Sequence, residues 1–425
     1  MSESERWPRV VVTGIGAVTP IGLDAASFRA ALYEGRSGVT PITQFDAEVP
    51  DPATGEPQFT TRIAAEVRGF EPRTLLKKPH RYDRASQLAL AAAGMALADA
   101  GLRPESPDTA EMGVVLGTGG GDSASFTESA DVLRRRGARR ISPLALPRYL
   151  ASSLPANVAI HLGAHGPNLG ISTACASGAH AVGEAFWIIR RGDTDRVLAG
   201  GAEAAITPLA MAGFAAMRVL SRRNHDPEGA SRPFDAGRDG FVMGEGAAML
   251  LLESLDSARA RRAPIRAEVL GYGLSADAYS ATHLRPDGAE CARAMRRALQ
   301  VAGLAPEAVD FVNAHGTATP QNDATETQAV KAVLRDRARE VPINATKSMI
   351  GHLMSAGAAA EILATVFALE DQRVHPTRNL ERPDPRCDLD YVAGAARPAP
   401  IRVAMKNSFG LGGHNAVLLL RRWEG

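Results

Sequence analysis

The feature that most constrains this chain is that it repeats itself. Residues 94–118 read GMALADAGLRPESPDTAEMGVVLGT and residues 296–317 read RRALQVAGLAPEAVDFVNAHGT. Each gives a helix, then AGLxPE, then a short apolar strand, then a Gly-Thr turn. ISTACASG at 171–178 and INATKSMIGH at 343–352 each put a small-residue turn ahead of a helix. IRVAMKNSFGLGGHNAVLLL at 401–420 parallels RVLAGGAEA at 196–204 followed by GEGAAMLLLE at 244–253. Three matches in one order predict a duplicated fold. The first half spans residues 1–262 and carries insertions. The second spans 263–425, and the two meet near the charged stretch 256–266. No low-complexity linker separates them, so the halves share an interface.

Strand-like segments lie at Val10–Val12, Val114–Leu116, Val197–Ala199, Met249–Leu252, Phe311–Asn313 and Val417–Leu420. Helical spacing covers 84–100, 176–191, 291–302 and 358–370. The alternation predicts an α/β protein with mostly parallel sheets covered by helices. With 48 basic and 47 acidic side chains the net charge is +1. Global charge therefore gives no reason to expect nucleic acid or a membrane surface as partner, and an anionic partner must be met by a local patch. Three cysteines in 425 residues argue against a disulfide framework and for a reducing compartment. The polar start MSESERWPRV has no apolar stretch of a secretory signal, and no 18-residue apolar run follows. The expectation is a cytoplasmic protein.

Chemistry concentrates at four turns. Cys175, in GISTACASG, stands between a strand end and an amphipathic helix with Ala179, Val182, Phe186 and Ile189 on one face. A cysteine at a helix N-terminus is expected to have a lowered thiol pKa, and its small neighbours leave room for a thioester. Cys291 and Cys387 read as buried structural residues. His315 ends a strand in VNAHGTATP and faces the crevice where α/β enzymes bind ligands. His352, in TKSMIGH, occupies the turn equivalent to that of Cys175 if the chain is duplicated. Lys347 lies five residues earlier and Glu361 on the next helix, able to pair with it. NSFGLGGHN at 407–415 is a Gly-rich segment between two strands. It can aim a backbone N–H at an oxyanion or cradle a phosphate, although no Walker lysine follows. Gly117-Thr-Gly-Gly-Gly-Asp lacks the full dinucleotide fingerprint. A zinc site from Cys175, His315 and His352 has no supporting ligand spacing.

At these residues the chain resembles the β-ketoacyl-acyl carrier protein synthase II family of the thiolase-fold superfamily. VVVTGIGAVTPIG, STACASG, GGAEAAITPLAMAGF, SRPFDAGRDGFVMGEGA, VNAHGTATPQND, TKSMIGH and NSFGLGGHN carry the likeness from Val10 to about Leu420. The resemblance implies a thiolase-like duplicated fold, five-layered αβαβα with two mostly parallel mixed sheets, assembled as a homodimer. It implies that Cys175 takes the acyl group from a carrier protein, and that His315 and His352 assist malonyl decarboxylation. Backbone N–H groups of Cys175 and Phe409 would form the oxyanion hole, with Phe409 also the gate and Gly410 beside it at the substrate. Lys347 and Glu361 match a supporting charged pair, and Thr317 and Thr319 match contacts to the pantetheine arm. No metal or redox cofactor is expected, because loss of carbon dioxide drives the condensation. The partners implied are acyl- and malonyl-loaded acyl carrier protein. Lys77, Lys78, Arg81, Arg139, Arg140 and Arg218 match its docking surface, where salt should weaken binding.

The chain also departs from the family pattern. His414 stands where many relatives have Thr, as in actinobacterial mycolate-type synthases. Gln321-Asn322-Asp323 replaces a commoner Gly-Asp pair and resembles type II polyketide or polyene ketosynthases. Gly120 matches a pocket-lining position that is often bulky. A specialised ketosynthase, paired with a chain-length-factor-like subunit, is thus an alternative to fatty acid elongation. A degradative thiolase lacks support because no second Cys lies in the C-terminal Gly-rich region. A Cys-His-Asn acyltransferase using Asn407 leaves His352 unexplained. The intact Cys175, His315 and His352 argue against a non-catalytic scaffold.

Overall fold

The computed structural model describes residues 7–425, and the polar start read at Met1–Arg6 lies outside the described residues. Ten strands build the main sheet. The first half contributes β1 (Val10–Val18), β2 (Gly113–Gly117), β3 (Asn168–Ile171), β4 (Arg196–Glu203) and β5 (Gly246–Ser254). The second contributes β6 (Ala267–Ala276), β7 (Phe311–Asn313), β8 (Ile343–Asn344), β9 (Val403–Gly410) and β10 (His414–Arg422). The order across the sheet is β8-β7-β9-β10-β6-β1-β5-β4-β2-β3. Read outward from the centre, each strand of the second half takes the place of the strand five numbers before it. Pairing senses repeat as well. β4–β2, β2–β3, β9–β7 and β7–β8 are parallel, whereas β1–β5, β5–β4, β6–β10 and β10–β9 are antiparallel. The fold is the expected duplicated α/β architecture.

Two details differ from the expected pair of mostly parallel sheets. Val10–Val12 pair antiparallel with Ala267–Val269, which stitches the halves into one continuous sheet. Parallel neighbours are confined to the outer strands. The last strand of each half returns beside its predecessor, and an antiparallel neighbour needs no crossover helix.

Five helices define the layers: α1 (Arg84–Asp99), α2 (Ser177–Arg191), α3 (Ala289–Ala302), α4 (Pro320–Leu334) and α5 (Ser355–Asp371). α2 and α5 pack on each other and touch strands of both halves. Every residue of α5 from Ser355 to Leu369 is buried, as expected for a helix apolar on all sides. α1 covers the outer face of the first half, and α3 with α4 covers that of the second. The sequence of layers is therefore helix, sheet, helix, sheet, helix. α2 and α5 meet at their N-terminal ends. A Cβ at Gly178 would lie 2.6 Å from the Ser355 carbonyl oxygen and 3.1 Å from Ala359 N, so only glycine permits this approach. The crossing brings the turns that precede the two helices side by side. Among the described residues no helix is long and apolar enough to cross a membrane.

Candidate active site

Those two turns and the ends of β7 and β9 surround a cavity of ≈ 530 Å³. Cys175, His315, His352, Thr317, Thr319, Phe409 and Gly410 all line it. Cys175 sits in a one-turn 3₁₀ segment, Ala174–Ala176, directly ahead of α2. Ala174 is held at φ 50°, left-handed backbone that costs a non-glycine residue about 1–3 kcal/mol. The turn is tied by Ser177, whose Oγ accepts from Thr173 N at 2.8 Å and donates to the Ala174 carbonyl at 2.6 Å. Gly410 ends β9 against this turn. A Cβ there would lie 2.7 Å from the Thr173 carbonyl oxygen and 3.4 Å from Cys175 N.

The expected lowering of the thiol pKa is overturned. Burial pushes the Cys175 thiol up to about 11, outweighing the Lys347 charge and the Leu411 N–H that favour thiolate. The dipole argument covered only one of two opposing effects, and desolvation of the largely buried sulfur is the larger.

The histidines are fixed from behind. Lys347 Nζ donates to Glu361 Oε1 at 2.5 Å and to the His315 carbonyl at 2.6 Å, and lies 3.3 Å from His315 Nδ1. An ammonium has no acceptor, so Nδ1 accepts and the ring proton resides on Nε2. His352 Nδ1 accepts from the Met354 N–H at 3.1 Å, which places its proton on Nε2 too. The two rings stand edge to face, centroids 5.7 Å apart, with Phe409 5.8 Å from His315 and Phe241 5.1 Å from His352. Burial first, then the Lys347 charge, holds both imidazoles well below their ordinary pKa. The result is a sulfur and two neutral N–H donors around one apolar-walled space.

Family models for the β-ketoacyl synthase N-terminal domain and C-terminal domain match residues 8–258 and 266–381. The chain belongs to the β-ketoacyl synthase family. It is 46% identical over 98% of its length, and 98% of the relative's, to 3-oxoacyl-[acyl-carrier-protein] synthase 2 of Synechocystis sp.. It resembles the solved β-ketoacyl synthase of Burkholderia phymatum with a TM-score of 0.90 at 35% identity, covering 98% of this chain and 100% of that one. A type II polyketide ketosynthase solved in complex with its acyl-carrier protein gives a TM-score of 0.89 at 37% identity, covering 98% and 100%.

The remaining expected residues of this β-ketoacyl synthase divide. Thr317 and Thr319 share a hydrogen bond of 3.0 Å at the cavity wall, and Thr319 also caps α4 by accepting from Asn322 N. Gln321 and Asn322 line the cavity, whereas Asp323 is wholly buried. It accepts from Phe234 N at 2.8 Å and faces Arg238 at 3.3 Å, so it anchors the loop. Gly120 does not line the cavity of this single chain. It lies on the exposed loop after β2, outside the cavity lining, and a side chain added there would meet open space. The neighbouring Gly119 donates its N–H to Glu203 at 2.7 Å and accepts from Ser172 Oγ at 3.2 Å, which ties the loop to the turn that carries Cys175. Of the six basic residues, Arg218 alone lines the cavity. Lys77, Lys78, Arg81, Arg139 and Arg140 are exposed on short turns elsewhere. His414 is exposed opposite Gly410 across β9–β10. Cys291 and Cys387 are buried away from the cavity, Cys291 beside Asn415 Oδ1 at 3.6 Å.

Two buried charges escaped the sequence reading. Glu326, on α4, accepts from the His315 and Gly316 N–H groups at 2.8 and 2.9 Å. Lys406, on β9, is fully buried with Nζ 2.8 Å from Glu361 Oε2. The available signal was its place in the apolar strand VAMKNSFG, where an uncompensated charge is untenable. Phe409 and Gly410 also belong to β9, so the loop between strands is only Leu411–Gly413.

Proposed function

We propose that this chain is a 3-oxoacyl-[acyl-carrier-protein] synthase acting in fatty acid elongation. The observation that carries the reading is the pair of histidines, each with its proton on Nε2, beside Cys175 in one cavity. In the first half-reaction the Cys175 sulfur attacks an acyl thioester. The new C–S bond forms as the carrier's pantetheine sulfur leaves, and the thiol proton ends on that leaving sulfur. Covalent capture divides the reaction into two easier steps. In the second, malonyl thioester loses carbon dioxide. The electron pair of the broken C–C bond becomes an enolate whose oxygen accepts from both Nε2–H donors. Neutral donors are suited to this because they stabilise negative charge without surrendering a proton. The enolate carbon attacks the acyl-Cys175 carbonyl. The Cys175 and Leu411 N–H groups, the latter already directed at the Cys175 sulfur, hold the oxyanion until the C–S bond breaks. The Cys175 thiolate then leaves, regaining its proton from water. The product is longer by two carbons.

Thr317 and Thr319 guide the pantetheine arm, and Arg218 at the cavity helps to meet an acidic carrier protein, with Lys77, Lys78, Arg81, Arg139 and Arg140 as the wider surface. Edge strand β3 leaves Leu169 44% exposed and nearby α-helical Ile160 75% exposed, apolar surface that suits a symmetric dimer. We assign the halves to 1–262 and 263–425, and the setting to the cytoplasm. A second reading, a type II polyketide ketosynthase paired with a chain-length-factor-like subunit, is favoured by Gln321 and Asn322 at the cavity wall. Mass spectrometry after incubation with acyl carrier protein tests the main reading. Cys175→Ala should form no acyl-enzyme, whereas His315→Ala and His352→Ala should acylate yet fail to condense. An acyl-enzyme on Cys175→Ala would refute the assignment, and product lengths from a panel of acyl carriers would separate the two pathways.

A further inference from the structure

Behind the histidines lies a four-charge cluster more elaborate than one lysine–glutamate pair. Glu361 presents Oε1 to Lys347 at 2.5 Å and Oε2 to Lys406 at 2.8 Å. Glu326, the second carboxylate, receives Asn407 Nδ2 at 3.1 Å besides the two loop N–H groups. All four side chains are buried, so two positive and two negative groups balance away from water. Lys406 does not simply duplicate Lys347. Its Nζ donates to the Asn407 carbonyl and to Ser408 Oγ at 3.2 Å, both on its own strand. Glu361 Oε2 receives no well-directed hydrogen bond. Lys406 thus faces that oxygen as a fixed charge, pinned by its own backbone.

Burial lowers the Lys406 pKa from its ordinary value, with Glu361 and then Glu326 among the groups that bear on it. The Lys406 charge also acts on both imidazoles in the direction that keeps them neutral. No residue of β9 before Phe409 touches the cavity, so Lys406 acts through other groups.

Resting on the condensing-enzyme reading, we propose that Lys406 is a positioning residue for the decarboxylative half-reaction. Its ammonium clamps Glu361 from the side opposite Lys347 and supplies a built-in positive charge behind His315 and His352 that favours the enolate forming between them. Acyl transfer to Cys175 does not develop that enolate and is largely indifferent to Lys406.

The test uses the full chain with three variants, Lys406→Met, Lys406→Gln and Lys406→Ala. Lys406→Met removes both charge and hydrogen bonds. Lys406→Gln removes the charge but keeps donors for Asn407 and Ser408, which protects the fold. Acyl-Cys175 formation is read by mass spectrometry, and malonyl-carrier decarboxylation and condensation by product release across pH. Expected are acylation within about threefold of the parent and condensation reduced about tenfold or more in Lys406→Met and Lys406→Gln, below the 10²–10³ of losing a direct oxyanion donor. The acid limb of the condensation profile should move to higher pH, because losing a nearby positive charge makes the imidazoles easier to protonate. In Lys406→Ala, ammonium chloride should restore condensation where tetramethylammonium chloride at equal ionic strength does not. A Lys406→Gln enzyme with parental condensation and an unmoved acid limb overturns the proposal, as do equal losses in both half-reactions. If the parent itself neither acylates nor decarboxylates, the functional reading fails instead.

Discussion

Gly178→Ala tests whether the helix crossing sets the spacing of the site. The added Cβ would stand 2.6 Å from the Ser355 carbonyl oxygen, whereas ordinary contact begins near 3.4 Å. Neither neighbour is a flexible side-chain end, so α2 and α5 must part by about 0.8 Å, close to the 1 Å misplacement that costs about 10²-fold in rate. Overpacking of this kind costs about 1–3 kcal/mol, offset by the about 1 kcal/mol that alanine gains over glycine within a helix. Stability therefore moves little, and rate is the sharper readout. Pre-acylated enzyme mixed with malonyl carrier in a single-turnover experiment should condense tens of times more slowly, at roughly the square root to the whole of that hundredfold. Gly94→Ala is the control. It lies in α1 with nothing within 4 Å of the new Cβ, and should stabilise the protein by about 0.5–1 kcal/mol at parental rate. If Gly178→Ala condenses within twofold of the parent, the close crossing is not what holds Cys175 against His352.

Other perturbations follow from buried charge. His180 and His375 are held at about 4, mainly by burial. The unfolded chain then protonates first as pH falls through about 6.5, so each should cost about 1.4 kcal/mol of stability per pH unit down to about 4. Glu203, raised to about 6 by burial, works oppositely, because the native state takes its proton first between about 6 and 4.5. Urea unfolding at pH 7.5 and 5 should reveal the net loss, and His375→Gln should flatten the slope; an unchanged slope would contradict the assignment. Glu361→Gln strands two buried ammonium groups and should destabilise by about 3–5 kcal/mol, with condensation lost; a shift under 1 kcal/mol in urea unfolding would show that the lysines relax to solvent. Arg218→Glu should weaken carrier binding at low salt more than Lys77→Glu does, and equal effects in a salt titration would remove Arg218 from special standing.

The order of elements was legible because the duplication leaves similar local chemistry at equivalent places. Phe311–Asn313 appeared as a strand at its observed bounds, and the helix read at 176–191 begins one residue later in the structure. Ile343–Asn344 went unread because a two-residue strand carries no period. Ala267–Ala276 went unread because Gly and Ser interrupt its apolar alternation, and the strand read ahead of the Gly-rich segment runs on to Gly410, past Asn407 where that segment was taken to begin. At the site, position was readable and energetics were not. A helix start could be inferred for Cys175, but the degree of enclosure that raises its pKa depends on β9 and α5, more than 170 residues away in sequence. Lys406 and Glu326 are compensated by groups that only the tertiary fold supplies.

The shared central layer has a consequence for how the protein can be divided. α2 comes from one half and α5 from the other, and each is clad by strands of both. A polypeptide severed between Ser254 and Ala267 would yield two pieces, each with a helix-length strip of oily surface open to water. Neither could assemble the reaction chamber by itself, yet the cut leaves every residue of the chamber in place. Joint expression of the pieces should regenerate turnover where separate expression gives aggregates.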